Sequence, residues 1–277
     1  MLAKLIPSCQ LTSLRRWMSA APKRMRISCA IILMVKNKMF ALVFYSHSDY
    51  SDVWPPMFSQ TDKYFPTHKK YLFSNTETAP LDKENWHLIT YDDTERYQQR
   101  MTHCLEQVQE EILLFHHEDM FLYETPQYEI LNEITETIQA NEVDIVKLIC
   151  AAYEDAALHE ITSRSYIYAN PPNLKFAIQP SLCKKSQLMR IYDMTGGDDI
   201  WQFEHNSSGV VEYLNIKTGM TYLKEDKKKG MFHWESNIYP YFATAVVKGK
   251  WNISEYGDDL LPILESNNVD PDVRGRC

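Results

Sequence analysis

The acidic pair Glu118 and Asp119 is the group of residues best suited to do chemistry. It follows His116 and His117 at the end of the apolar run 111–115. Carboxylate oxygens hold hard divalent cations, and a cation there would neutralise a diphosphate. Since neighbouring residues of an extended chain point to opposite faces, we expect one carboxylate to face the site, and we predict Asp119 as the metal ligand. The alternative is an acidic strand end at the surface.

Glu204 is the predicted general base. It stands in the segment Trp-Gln-Phe-Glu (201–204), shortly after Asp198 and Asp199. Desolvation beside aromatic rings raises a carboxylate pKa, which suits proton abstraction from a hydroxyl. Asp199 is the next candidate for this role. The alternative is an aromatic anchor followed by a surface glutamate.

Two weaker patterns contain further polar side chains. The segment Gln-Pro-Ser-Leu-Cys-Lys-Lys (179–185) predicts either the floor of a binding cleft or a plain strand-to-helix turn. Arg96 and Arg100 lie one helical turn apart, so they either brace a phosphate or line a solvated helix face.

Composition and missing motifs exclude several functional classes. The net charge of −8 argues against nucleic-acid binding through a basic face. The six cysteines form no C-x-x-C pair, which argues against a zinc site and favours a reducing compartment. The sequence has no G-x-S-x-G, P-loop, G-x-G-x-x-G or H-E-x-x-H motif. The apolar run 27–35 is too short to span a bilayer, so we expect no membrane span and a cytoplasmic location.

The N-terminus differs from the rest of the chain. No Asp or Glu precedes Asp49, whereas six Lys and Arg residues lie among the first 26. This pattern is typical of a transit peptide, and a dispensable or non-native extension is the alternative. We therefore divide the chain into an extension, 1–25, and one domain, 26–277.

Strands and helices alternate in the first half of the sequence. A near-continuous apolar run predicts a strand at 39–45, and shorter, largely apolar segments predict strands at 70–74, 86–91, 111–115 and 144–150. Helical spacing predicts a helix through Tyr64 capped by Asp52, one through 109 capped by Asp93 or Thr94, and one over 127–140. This alternation predicts an α/β domain with a mostly parallel central sheet flanked by helices. The polar residues that end the first and fourth strands then meet at one edge of that sheet.

The second half is less regular. Short strands are predicted at 165–168, 175–178, 210–216 and 243–247. A brief helix is predicted at 187–192 and a turn at 196–199.

Taken in order, these segments resemble a family of small GT-A-type glycosyltransferases of bacteria and large DNA viruses. The matching pieces are YSHSDYSDVW (45–54), Arg100, LFHHEDMFL (114–122), QPSLCKK (179–185), WQFE (201–204) and VKGKW (247–251). The resemblance implies a GT-A-like fold. It also implies donor-binding roles for Tyr45, Ser46, Asp49, Asp52, Arg100, Glu118 and Asp119. Gln179 and Trp201 would contact the acceptor.

The resemblance is closest to chlorella-virus capsid-glycosylating enzymes. It implies transfer of xylose from a nucleotide sugar, UDP-linked rather than GDP-linked, to a glycan or glycoprotein hydroxyl. The resemblance also implies that the configuration inverts with Glu204 as the base. It further implies a manganese or magnesium ion as cofactor and a location in the host cytoplasm. His117 stands where Gln is expected and Cys183 where an aromatic residue is expected. The acidic pair also lacks Asp-x-Asp spacing, which leaves a metal-independent variant open.

Two other functions remain open at this stage. One is a non-catalytic carbohydrate- or protein-binding module on a decayed transferase fold, since aromatic side chains also stack on sugars. The other is a nucleotidyltransferase, although the sequence lacks the glycine-rich loop that we expect of one.

Overall fold

The structure is a computed structural model, and it describes the greater part of the chain after residue 39. The described residues are 40–79, 85–149, 158–162, 165–168, 175–197, 200–221, 228–229, 233–234, 236 and 238–277. The predicted boundary between residues 25 and 26 lies outside these ranges and stays a prediction. Asp199 lies outside them too.

One large sheet dominates the described residues. Its strands are β1 (Ala41–Tyr45), β2 (Lys70–Ser74), β3 (Trp86–Thr90), β4 (Ile112–His117), β5 (Ile145–Lys147), β6 (Leu158–Thr162), β7 (Ser165–Tyr168), β8 (Ser181–Lys184) and β9 (Thr218–Thr221). Two small hairpins pair β10 (Lys228–Lys229) with β11 (His233–Trp234), and β12 (Val246–Val247) with β13 (Lys250–Trp251).

Helices connect and flank these strands. They are α1 (Trp54–Tyr64), α2 (Tyr97–Gln107), α3 (Tyr128–Gln139), α4 (Lys185–Met194), α5 (Ile200–Tyr213), α6 (Ile253–Ser266) and α7 (Pro271–Arg274). A 3-10 turn covers Ser48–Tyr50. In the described part of the chain, we find no helix with the length and apolarity needed to cross a membrane.

The sheet has the strand order β3-β2-β1-β4-β8-β5-β9-β7-β6. The strands β3, β2, β1 and β4 run parallel, and β5 and β9 run the same way, whereas β8 and β7 run against them. The predicted α/β fold with a mostly parallel sheet is therefore confirmed. In the register of β1 and β4, Tyr45 pairs with His117, so both strands end at the same edge.

Each face of the sheet is covered by its own apolar core. Leu42 and Phe44 of β1 pack on one face, whereas Val43 and Tyr45 pack on the other. This alternation is the two-residue period of a strand buried on both sides. Apolar residues of α1, α3 and α6 cover the first face, and those of α2, α4 and α5 cover the second. The prediction that helices flank the sheet is confirmed.

Two predicted helix caps are wrong. The helix α1 starts from Val53 without a side-chain cap, with proline in its first turn, because the Asp52 carboxylate binds Arg274 instead. The helix α2 starts from Arg96, later than predicted, because Asp93 is bound to His47 and Asn75. The carboxylates of Asp52 and Asp93 therefore bind residues distant in the sequence and do not cap the helices that follow them.

Two strand predictions in the second half are also wrong, and the predicted strand 243–247 is confirmed only for Val246–Val247. The segment 210–216 is mostly the last turns of α5, whose buried residues Phe203, Ser207 and Val211 recur every four positions. The segment 175–178 forms no strand, because the Ile178 N–H is donated to a side chain rather than to a neighbouring strand.

Candidate functional site

The site is built where β1 and β4 leave the sheet. The Glu118 N–H donates to the Tyr45 carbonyl at 3.2 Å, so the two chains stay side by side beyond the last paired residues. After β1 the chain enters the 3-10 turn, where the His47 ring accepts the Asp49 N–H at 3.1 Å. Parallel strands thus bring residues 45–52 and the acidic pair to one edge, as the sequence predicted.

Glu118 and Asp119 form a buried, mutually repelling pair. Glu118 is only 6% exposed, whereas Asp119 keeps part of its surface open. Burial and the neighbouring Asp119 charge raise the pKa of Glu118 well above its usual range. Burial also raises the pKa of Asp119 to about 7, although its carboxylate accepts its own N–H and that of Val246. The pair is therefore short of positive charge, which a cation would supply.

Arg274 is the cation that the fold places beside this pair, and the sequence analysis missed it. Its guanidinium forms an ion pair with both carboxylate oxygens of Asp52 and donates to the Asp49 carbonyl at 2.7 Å. It also lies 4.8 Å from the centre of the Tyr50 ring. Its charge lowers the pKa of both Glu118 and Asp119 against the effect of burial. Asp49 and Asp52 therefore contribute to the site through Arg274.

Arg100 reaches the same edge, but its guanidinium already holds the loop before α2. It donates to the Glu95 carbonyl at 2.8 Å, pairs with the Asp93 carboxylate at 3.1 Å and contacts the Tyr45 hydroxyl at 3.4 Å. The Tyr45 ring stacks on Tyr91 at 5.2 Å between centroids. Arg100 thus positions Tyr45, and it meets a ligand only if some of these bonds open.

Ser46 and the two histidines are occupied by structural contacts. The Ser46 hydroxyl accepts the Trp54 indole N–H at 2.7 Å. His116 contacts the Tyr239 hydroxyl at 2.9 Å, and His117 contacts the Tyr97 hydroxyl at 3.1 Å. Burial lowers the pKa of His116 to about 4 and that of His117 to about 3, so both rings are neutral at physiological pH.

Glu204 lies on α5, one of the helices that cover the second face of the sheet. Its carboxylate accepts the Ile178 N–H at 2.6 Å. Burial raises its pKa, while that hydrogen bond and the charge of Lys147 act in the opposite direction. Within the described ranges, no hydrogen bond or ion pair joins Glu204 to Glu118 or Asp119.

Aromatic rings stand between the two acidic groups. Glu118 acts electrostatically on Tyr45, and Glu204 acts on Tyr97. The rings of Tyr45 and Tyr97 meet edge to face, with centroids 5.1 Å apart. The structure therefore connects Glu204 to the edge of the sheet through packed tyrosines.

The predicted acceptor residues lie outside the acidic cluster. Trp201 is 72% exposed on the first turn of α5, whereas Phe203 is buried. Gln179 precedes β8, and its carbonyl accepts the Ser181 hydroxyl at 2.9 Å. Because β8 is antiparallel, its first residue, paired with Phe115, lies near the edge where β4 ends.

The acidic pair fits a divalent cation that is also bound by substrate oxygens. Across the described ranges, no three His, Cys, Asp or Glu side chains are grouped to hold a metal ion alone. Magnesium is usually held by one or two carboxylates together with substrate phosphates, and two desolvated carboxylates lacking positive charge meet that description.

No protein-family model and no curated protein matches the sequence. Among solved structures, the chain is similar to S. aureus TarS 1–349 at 11% identity and a TM-score of 0.46, over 82% of this chain and 64% of TarS. The match thus spans less than two thirds of the TarS chain. TarS 1–349 in complex with UDP-GlcNAc matches at 12% identity and a TM-score of 0.43, over 70% and 60% of the two chains.

A UDP-glucose pyrophosphorylase complexed with UDP-glucose matches at 8% identity and a TM-score of 0.43, over 67% of this chain and 90% of that chain. Two of these three structures hold a nucleotide sugar. At TM-scores below 0.5, these likenesses establish neither the activity nor the ligand of this chain. The resemblance to chlorella-virus enzymes stays a prediction.

Proposed function

We propose that this chain is a glycosyltransferase that moves a sugar from a nucleotide donor to a hydroxyl of a glycan or glycoprotein. The observation that carries this proposal is the buried pair Glu118 and Asp119 at the carboxyl edge of the sheet, beside Arg274. Ligands of open α/β sheets bind outside that edge. Two carboxylates can hold a divalent cation and a guanidinium can bind phosphate oxygens, so this group of charges suits a diphosphate with its counter-ion.

The donor is proposed to lie across the ends of β1 and β4. Asp119, with Glu118 beside it, would hold a manganese or magnesium ion, which when bound neutralises charge on the diphosphate. Arg274 would contact a phosphate oxygen by exchanging one of its bonds with Asp52, because both are charge-assisted contacts of its planar guanidinium. Tyr45 and Arg100 complete the wall of this donor site. UDP-xylose is the donor that we propose first, from the sequence resemblance.

The transfer step requires a base. We propose that Glu204 takes the proton of the acceptor hydroxyl as its oxygen bonds to the anomeric carbon and the bond from that carbon to the phosphate oxygen breaks. The configuration at the anomeric carbon would invert. The raised pKa of Glu204 favours this role, because a general base is most effective when its pKa lies near the operating pH. The Ile178 N–H binds Oε1 of Glu204, so Oε2 is the oxygen that would take the proton.

The test is a panel of UDP- and GDP-sugars, including UDP-xylose, incubated with the full chain in the presence and absence of Mn²⁺. Release of nucleoside diphosphate and transfer to a mixed glycan acceptor pool are followed by mass spectrometry. We expect one donor to be turned over, with a loss of at least tenfold in Asp119→Asn. The control is Glu106→Gln, which removes an exposed carboxylate from α2. No turnover or binding of any donor contradicts the proposal.

A non-catalytic carbohydrate-binding module is the second candidate. The observation that favours it is the 72% exposure of Trp201, an aromatic ring available for stacking on a sugar. A thermal shift with UDP and Mn²⁺ supports the transferase, whereas a shift with free glycans alone supports the module.

A further inference from the structure

A polar cavity lies on the outer side of the helices that cover the second face of the sheet. Its volume is about 410 Å³, within the range of about 300–1,000 Å³ that small-molecule sites occupy. It is lined by α2, by the end of α4 and by the loop Thr195-Gly196-Gly197. The acidic pair does not line it, so this cavity is distinct from the donor site.

The loop that lines the cavity is fixed from two sides. The Gln98 side chain of α2 donates to the Gly197 carbonyl at 2.9 Å, and the Asn206 side chain of α5 donates to the Gly196 carbonyl at 2.8 Å. A Cβ added at Gly197 would lie 2.8 Å from the Phe203 backbone nitrogen, so only glycine allows this close approach. At Gly196 an added Cβ meets nothing within 4 Å. The cavity therefore has a wall of defined shape.

One polar atom of this wall lacks a partner. Thr195 is 5% exposed, and its hydroxyl has no hydrogen-bond partner in the part of the chain that the structure describes. Buried hydroxyl groups are normally paired. The Thr195 hydroxyl is enclosed in the wall, so a molecule bound in the cavity would contact it only after a shift of the Thr195-Gly196-Gly197 loop.

The charges around the cavity are balanced. Arg96 supplies a positive charge and Asp193 a negative one, and the Thr102 hydroxyl donates to the Asp193 carboxylate at 2.8 Å. The end of α4 adds the partial negative charge of a helix C-terminus, whereas the start of α2 adds a partial positive charge. Amides, a hydroxyl and balanced charges suit a neutral molecule that is rich in hydroxyl groups.

One exposed apolar side chain lines this polar cavity, and a second lies on the helix turn against which the cavity wall packs. Met194, which lines it, is 50% exposed, and Trp201 is 72% exposed. Trp201 lies on the first turn of α5, the turn on which Gly197 packs. Apolar side chains together with hydrogen-bonding groups are the combination that binds saccharides, because sugars present both C–H and O–H surfaces, and the Trp201 ring would extend the cavity on the α5 side.

We propose that this cavity binds a neutral oligosaccharide. Tyr192 lines the cavity, and its hydroxyl lies 3.1 Å from that of Tyr97, which in turn contacts His117 at the end of β4. The cavity and the donor site are thus separated by two packed tyrosines. The saccharide held here is the distal part of the acceptor, so that acceptors longer than a monosaccharide are preferred. The acceptor role rests on the proposed function, whereas saccharide binding does not.

The experiment measures binding of the full chain to an array of defined neutral, sialylated and sulfated oligosaccharides, without any nucleotide. The best neutral oligosaccharide is then titrated calorimetrically. Gly196→Phe fills the cavity from an open position, and Trp201→Ala removes the exposed ring. The matched controls are Gly209→Phe, also open, and Tyr213→Ala, which removes a ring that is 75% exposed on the same helix.

We expect each cavity variant to lose at least tenfold in affinity and each control to change it less than twofold. Donor hydrolysis without acceptor stays within twofold of wild type in Gly196→Phe. The proposal is overturned if the wild type binds no neutral oligosaccharide, if it binds only anionic ones, or if Trp201→Ala and Gly196→Phe both bind normally. If glycans bind here but no nucleotide sugar is turned over, the saccharide site stands and the proposed function fails.

Discussion

Replacing Asp119 by asparagine should stabilise the protein, and the gain should depend on pH. Burial raises the pKa of Asp119 from its ordinary value of 3.8 to about 7, so the folded protein binds a proton between these pH values that the unfolded chain has lost. Stability therefore falls as the pH rises from about 4 to about 7 and then levels off. A difference of about three pKa units corresponds to about 4 kcal/mol. Because Asp119 is partly exposed, we reduce this to roughly 2 kcal/mol.

The assay is thermal unfolding of wild type and Asp119→Asn at pH 5 and pH 8, without divalent cations. At pH 8 we expect the variant to melt about 4–8 °C higher, since 1 kcal/mol shifts the melting temperature of a domain of this size by about 2–4 °C. The gain should be clearly smaller at pH 5, where Asp119 in the folded protein is already protonated. Glu106→Gln, on the surface of α2, should show neither gain. A variant that melts lower than wild type at pH 8, or gains equally at both pH values, would show that the buried charge of Asp119 does not destabilise the folded protein.

Three other variants test the contacts around the site. Arg274→Gln should lower the free energy of unfolding, measured by chemical denaturation, by about 1–3 kcal/mol, because it breaks a part-buried ion pair. Arg276→Gln breaks an exposed pair and should lower it by less than about 0.5 kcal/mol. Equal losses would show that the Arg274–Asp52 pair contributes no more to stability than a surface pair. Gly197→Ala should destabilise by about 1–3 kcal/mol through its backbone clash, and Gly209→Ala should stabilise by up to about 1, as thermal unfolding would show. Glu204→Gln should lower transfer by about 10²–10⁴-fold while leaving donor affinity unchanged, measured by steady-state transfer and UDP titration; wild-type transfer would exclude it as base.

The acidic edge could be predicted from sequence because its signal is local. An uninterrupted apolar run must be buried on both faces, so the polar residues directly after it must mark the strand end. The runs that became β1 and β4 were both of this kind, and their parallel pairing then placed residues 45–52 beside Glu118 and Asp119. The two apolar runs, together with the rule that parallel strands end at the same edge of a sheet, were sufficient to predict the acidic edge.

Arg274 could not be predicted, because nothing near it in the sequence points to a binding role. Its partner Asp52 lies 222 residues away, and the two meet only when α7 packs against the turn after β1. The same contact explains the wrong prediction that Asp52 caps α1. A carboxylate has several competing partners, and the sequence does not show which is nearest in space.

The strand predicted at 210–216 in the second half of the sequence was wrong for a different reason. Val210 and Val211 favour strands by propensity, yet they lie in α5, where the four-residue spacing of Phe203, Ser207 and Val211 buries one face. Tertiary burial outweighs intrinsic propensity at such positions. The sequence indicated a desolvated carboxylate at Glu204, and burial does raise its pKa, but the position of Glu204 on this helix was not predicted.

A nucleoside diphosphate is proposed to bind at the acidic edge formed by Glu118 and Asp119. Calorimetric titration of UDP into the full chain in the presence of Mn²⁺ tests it most directly, with wild type, Asp119→Asn and Glu106→Gln compared. We predict that UDP binds to wild type and Glu106→Gln with equal affinity and to Asp119→Asn at least tenfold more weakly. Equal binding of UDP by all three proteins, or no binding by any, would show that Asp119 does not hold a nucleoside diphosphate.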